Sequence, residues 1–193
     1  MTVQLILASA SPRRKELLTQ IGVKYRVHSV DIDETPRLNE LAVDYVLRVA
    51  AEKSAACVEK LSPALPVLAA DTSVVVDGHI LGKPESELHA EEMLLQLSGK
   101  IHQVYTALSL RGVDKQHYQV LSKTEVNFRQ ISAEEIAAYW LTGEPLGKAG
   151  GYAIQGLASV FVESIHGSFS GVVGLPLFET AQLLSKQGIR IIT

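Results

Sequence analysis

Val3-Gln4-Leu5-Ile6-Leu7-Ala8-Ser9-Ala10-Ser11-Pro12-Arg13-Arg14 carries the decision about the fold. Residues 3–8 form a short apolar run bounded by a polar turn, which reads as a buried strand. Pro12 then stands where a first helical residue is favoured, with Ser11 as the N-cap, and Gly22 ends the helix. A strand that feeds a helix at once is the opening of an α/β unit. The same alternation continues outward. Residues 23–30 are strand-like and lead into an acidic loop, Asp31-Ile32-Asp33-Glu34. Residues 39–61 are the longest helix candidate. Residues 67–76 are an apolar strand turned by Asp77-Gly78, a hairpin dipeptide. A helix over 86–97 ends near Gly99, and β segments follow near 104–110 and 118–128. Ser132-Ala133-Glu134-Glu135 is a capping box before the helix with Tyr139 and Trp140. A glycine-rich loop spans 143–151, two strands flank His166-Gly167-Ser168, Pro176 opens a last helix ending near Gly188, and 189–192 reads as a closing strand.

Composition narrows the class. A chain of 193 residues, 47% hydrophobic and 20% charged, suits one domain that buries its own core. One cysteine, Cys57, rules out an intramolecular disulfide and points to a reducing compartment. The histidines show no metal-ligand spacing. A net charge of −3 gives no basic field for nucleic acid or a membrane. The first residues carry no basic, signal-like region, and no segment reaches the roughly 20 apolar residues of a membrane span. A cytoplasmic enzyme or binding protein is expected.

Four places stand out chemically. Ser9 to Arg14 follows a strand and opens a helix, where free N–H groups and the helix dipole suit phosphate and two arginines add forked donors. An ordinary N-cap with solvated arginines reads equally well. Asp71 lies inside an apolar strand, where a carboxylate is costly unless paired or metal-bound; this favours a functional role over the other reading, a strand-end aspartate capping a loop. Lys53 falls on the stripe of Val46 and Val49, aimed into a cleft or snorkelling at its edge. In the loop Gly147-Lys148-Ala149-Gly150-Gly151-Tyr152-Ala153-Ile154-Gln155-Gly156, Gln155 offers the donor and acceptor that base recognition needs, or simply sits in a flexible turn. Lys83 and Glu34, taken alone, read as solvated.

In order and spacing, these pieces resemble the Maf family of nucleotide pyrophosphatases, also described as septum-formation inhibitors. The resemblance rests on Leu7-Ala8-Ser9-Ala10-Ser11-Pro12-Arg13-Arg14, Asp33-Glu34, Ala51-Glu52-Lys53 and Ala70-Asp71-Thr72. It continues through Leu81-Gly82-Lys83-Pro84, Leu97-Ser98-Gly99, Ile154-Gln155-Gly156 and Val173-Gly174-Leu175-Pro176. It implies one domain over 1–193 with a mixed, curved central sheet flanked by helices and two lobes around a cleft, as in inosine triphosphatases, often as a homodimer. It implies that Asp71 is the catalytic base. By the same resemblance the phosphate and metal cluster falls on Ser9, Arg14, Glu34, Lys53 and Lys83, with Glu34 and Asp71 the candidate carboxylates for magnesium or manganese. The resemblance also places the branch-specific substrate positions on Arg13, Thr72 and Gln155. These three look like the branch acting on dTTP and UTP. The loop Asp33-Glu34-Thr35-Pro36-Arg37 looks more like the branch acting on 7-methyl-GTP.

The expected reaction is hydrolysis of a nucleoside triphosphate to monophosphate and pyrophosphate. The substrate is a nucleotide rather than a nucleic acid or a membrane. Two alternatives stand beside it: a 7-methyl-GTP-type enzyme, and a non-catalytic nucleotide-binding regulator of cell division. An ordinary aspartate pKa of about 3.9 leaves Asp71 ionised at neutral pH, as a base requires.

Overall fold

The computed structural model describes residues 2–192. Strand β1 (Leu5–Leu7) passes through Ser9-Ala10-Ser11 into helix α1 (Pro12–Gln20), and β2 (Tyr25–Val27) returns parallel beside β1. Helix α2 (Ala42–Leu61) leads to β3 (Val67–Val76), which lies on the other side of β1, also parallel. Asp77 and Gly78 both take positive φ, 49° and 81°, and turn β3 into the short β4 (His79–Leu81). This is the left-handed two-residue turn that such a dipeptide favours. Helix α3 (Glu87–Leu97) follows, then the long hairpin β5 (Ile101–Arg111) and β6 (His117–Phe128). Helix α4 (Ala133–Leu141) starts at the expected capping box. The chain ends through β7 (Val162–His166), α5 (Phe169–Val173) and α6 (Leu177–Ser185).

The seven strands form one mixed sheet in the order β2-β1-β3-β5-β6-β7, with β4 on β3. Along β3 every residue but Thr72 is buried, because both faces are covered. Val67 and Ala69 belong to a cluster with Cys57 of α2, while Leu68, Ala70, Val74 and Val76 join Leu17 and Leu18 of α1 and the helices beyond. Val46 and Val49, fully buried on α2, each stabilise the fold by about 1.5–3 kcal/mol. Strand alternation therefore sends Asp71 toward α2 and its neighbour Thr72 toward α1.

Several expectations at element ends are corrected. The second strand flanking Gly167 is the helix α5, nucleated where the Ser168 side chain accepts from the Gly171 N–H. Residues 189–192 form no strand; the Ile189 N–H returns to the Leu184 carbonyl, tucking Ile189 into the core and leaving Ile192 exposed. Helix α2 starts at Ala42 rather than 39, because Asn39 takes φ 58° in a turn. The strand expected over 23–30 is confined to β2, and Ser11 occupies the N-cap without a side-chain cap bond.

Candidate functional site

On one edge β3 pairs with β1 through Val67 and Leu68 and with β4 through Val74 to Val76. Residues 69–73 lie between these pairings with that edge open. A parallel partner ends there and an antiparallel one begins, and a crevice outside strand ends at such a switch is a common place for ligands. A cavity of about 520 Å³ fills it. Ser9, Arg13, Arg14, Glu34, Lys53, Asp71, Thr72, Lys83 and Gln155 all line it. Every candidate residue from the sequence is thus brought to one place.

Asp71 is only 7% exposed, so its charge needs a partner. Lys53, two turns into α2 from the valine stripe, donates from Nζ to Asp71 Oδ1 at 2.9 Å and reaches Glu34 Oε2 at 2.8 Å. One ammonium therefore joins two carboxylates and keeps a third N–H. Burial pushes the Asp71 carboxyl above its ordinary value, while Lys53 and then Arg14 pull it back. The ordinary carboxylate pKa expected from the sequence is thus corrected upward. Among the described residues no three His, Cys, Asp or Glu side chains cluster as a metal cage.

Glu34 comes from a loop without regular structure, and α2 holds that loop down. Tyr45 donates its hydroxyl to the Glu34 carbonyl at 2.9 Å, and Arg48 donates to the Thr35 carbonyl at 3.2 Å. Arg48 also grips Glu40 with two bonds, 2.6 and 2.7 Å, and pairs with Glu52 at 3.0 Å. Burial, then the charges of Asp71 and Glu34, push the Tyr45 phenol up to about 12. Tyr45 lines the cavity but was not found from the sequence. Its position eight residues before Lys53, about two helical turns, was the available signal.

Arg14, half-buried at the start of α1, donates from Nε to the Gly174 carbonyl at 2.8 Å, from Nη1 to Ser9 Oγ at 3.2 Å and from Nη2 to Thr72 Oγ1 at 3.2 Å. Its remaining two N–H groups are left for a ligand. Burial lowers the Arg14 pKa from its ordinary value, opposed by Asp71, and does the same at Arg13, opposed by Glu16. Thr106, on β5 opposite Thr72, bonds Thr72 Oγ1 at 2.9 Å and was also missed. No sequence signal marks it, since strand pairing alone brings the two threonines together.

The far wall is the glycine-rich loop. Gly150 has φ 68°, and a Cβ there would meet the Val74 side chain at 2.9–3.1 Å, so the loop lies directly on β3. Its N–H reaches the Gly82 carbonyl beside Lys83 at 2.9 Å. Gln155 itself is exposed, but its neighbours are fixed. Ala153 N–H donates to Tyr139 Oη at 3.2 Å, Tyr139 donates to Glu144 at 2.7 Å, and Glu144 accepts from the Leu157 and Ala158 N–H groups at 3.0 and 3.2 Å. Beneath, Tyr152 Oη meets His102 Nε2 at 2.8 Å.

The model of a family described as Maf-like protein matches residues 4–187. A dTTP/UTP pyrophosphatase of Methylococcus capsulatus is 54% identical over 187 residues, covering 97% of this chain and 92% of that one. One from Nitrosomonas europaea is 52% identical over 197 residues, covering 96% and 95%. More distantly, the Staphylococcus aureus Ham1 protein aligns over 65% of this chain and 71% of its own with a TM-score of 0.48 at 18% identity. With a family match from the first strand through the last helix, and relatives about half identical over nearly the whole of both chains, this chain belongs to the Maf-like protein family.

Proposed function

We propose that this protein hydrolyses dTTP and UTP to the monophosphate and pyrophosphate. The observation that carries the reading is the meeting of Asp71, Lys53, Glu34 and Arg14 around one cavity at the open edge of β3. The names of the relatives above support the same substrates. Asp71 takes a proton from, or orients, the water that attacks the α-phosphorus. Its raised pKa makes it a better proton acceptor than a solvated aspartate while it remains a carboxylate. Arg14, Lys53 and Lys83 neutralise charge on the pyrophosphate as the bond to the α-phosphorus breaks. Arg13 and Thr72 flank these groups, and Gln155 reads the base by donating to a carbonyl and accepting from N3–H.

The oxygen donors fit a hard divalent cation such as magnesium or manganese. Asp71 and Glu34 face a common point already occupied by a cationic group, and two carboxylates completed by triphosphate oxygens and water are a usual magnesium environment. When bound, such an ion supplies Lewis acidity and charge neutralisation to the triphosphate.

Incubation with UTP, magnesium and ¹⁸O-water tests the reading. The expected products are UMP carrying the label and unlabelled pyrophosphate. Label in the pyrophosphate would mean attack at the β-phosphorus, and no turnover would favour a nucleotide-binding role. A panel including CTP and 7-methyl-GTP decides the branch, since the loop from Asp33 to Arg37 leans toward the latter substrate.

A further inference from the structure

Two hydroxyls flank Arg14; both accept from its guanidinium, and they differ in where their own protons go. Thr106 is 1% exposed, and its Oγ1 donates to the Gly171 carbonyl at 2.8 Å, because a carbonyl has no proton to give. A hydroxyl owns one proton. In the 2.9 Å contact between the threonines, Thr106 is therefore the acceptor and Thr72 the donor. Thr72, its proton spent, accepts from Arg14 Nη2. The chain has a single direction: Arg14 to Thr72 to Thr106 to the Gly171 carbonyl. Ser9 differs. Its Oγ accepts from both Arg14 Nη1 and the Ser11 N–H, each at 3.2 Å, and its own proton goes to no protein group among the described residues.

We infer that Thr106 and Thr72 are positioning residues that fix the plane of the Arg14 guanidinium, and that Ser9, not Thr72, is the hydroxyl that donates to the triphosphate. The inference rests on the pyrophosphatase reading for its substrate. Arg14 is held at each of its three nitrogens by a different element: Gly174 after α5, Ser9 after β1 and Thr72 on β3. The last of these is oriented only because Thr106, on the next strand, takes the Thr72 proton. Gly171, which ends the chain, lies on α5, three residues before Gly174. The helix that supplies one acceptor to Arg14 thus also anchors the relay that supplies another. Thr72 contributes to substrate binding through Arg14, with no proton left for the substrate.

Thr106→Val keeps the shape and removes donor and acceptor together, whereas Thr106→Ser keeps the hydroxyl. The experiment measures kcat/KM for UTP, and in parallel the affinity for inorganic triphosphate by calorimetry. The proteins are wild type, both Thr106 variants, Thr72→Val, Arg14→Ala, and each valine variant combined with Arg14→Ala. Thr106→Val and Thr72→Val should each lose about tenfold in both quantities, the usual scale for one buried hydrogen bond. Thr106→Ser should stay within about twofold of wild type. Neither valine variant should cost anything further once Arg14 is alanine, because neighbours acting through one group are not additive. A Thr106→Val loss that persists undiminished in the Arg14→Ala background overturns the inference. So does wild-type triphosphate affinity in Thr106→Val. If Thr106→Val does not fold, Thr72→Val in the two backgrounds decides the same question. If the wild type binds triphosphate but cleaves no nucleotide, the proposed function fails while the binding cycle still judges the relay.

Discussion

On the wall formed by α1, α2 and β3, the side chains facing the ligand are themselves fixed: Arg14 has three acceptors, Lys53 two carboxylates, and Ser9 two donors. On the wall formed by the glycine-rich loop, Gln155 is exposed and makes no hydrogen bond among the described residues, while the backbone around it is pinned by Tyr139 and Glu144. The difference follows from what each wall meets. Phosphate presents the same oxygens in every nucleotide, so its donors can be set in advance, and preorganised donors lose nothing at the moment of reaction. A base edge is read by an amide that leaves water only when the ligand arrives, and a fixed backbone keeps that amide in range.

Breaking the preset wall should have the largest effect. Asp71→Asn should lower kcat by about 10²-fold or more, the scale for a positioned acid–base group. The fold should persist, because Lys53 keeps Glu34 as its partner. Near-normal turnover in the folded variant would remove Asp71 from its role. The acid limb of the pH–rate profile sharpens the point. Activity needs the carboxylate, so it falls as pH drops through the Asp71 pKa, which burial places above the ordinary value. Lys53 opposes that shift. Lys53→Met should therefore move the limb to higher pH, and movement to lower pH would contradict the electrostatics described.

His102, under the loop wall, gives the next largest effect. It is fully buried, and burial lowers its pKa to about 4. Below its ordinary value of about 6.5 the unfolded chain binds a proton that the folded chain refuses, so stability is lost as pH falls from 6.5 toward 4. Between pH 7 and pH 5 the loss should be about 2 kcal/mol. Denaturation of wild type and His102→Gln at both pH values checks this, since the variant should lack that part of the pH dependence. An equal loss in both proteins would place it elsewhere.

Smaller effects belong to base recognition. Gln155→Glu keeps an acceptor for N3–H but removes the donor to a carbonyl. Its preference for UTP over CTP should fall about tenfold while its best remaining substrate slows less. An unchanged ranking in kcat/KM would free Gln155 from the base. Tyr139→Phe leaves the Ala153 N–H without its acceptor and Glu144 without one donor. It should cost about 1 kcal/mol in the same ratio, roughly fivefold, felt in KM rather than kcat. If kcat alone changed, the loop would be serving the chemistry and not the base.

How much of this was legible is seen at particular residues. Residues 67–78 showed a buried strand, its turn and a charge out of place, because burial, period and turn chemistry are all local. Asp71 could be flagged from that alone, and Lys53 from helical spacing. The end of the chain was less legible. The segment 169–173 is apolar and short, and nothing local distinguishes a strand from the helix that Ser168 caps. Arg48, Tyr45 and Thr106 were passed over because their partners lie on other elements, and the same residue types on a solvated face would look identical.

The sequence by itself determined the α/β class, the strand–turn–helix opening, the hairpin at Asp77-Gly78, and which charges could not be left bare. Tertiary structure alone decided that β1 stops short and β4 begins late along β3, opening the edge where Asp71 and Thr72 lie. It also decided that Lys53 finds two carboxylates and that Thr72 gives its proton to Thr106. These depend on strand register and on which helix covers which face. Both are set by the packing of residues far apart in the chain, where distance along the sequence no longer measures distance in space.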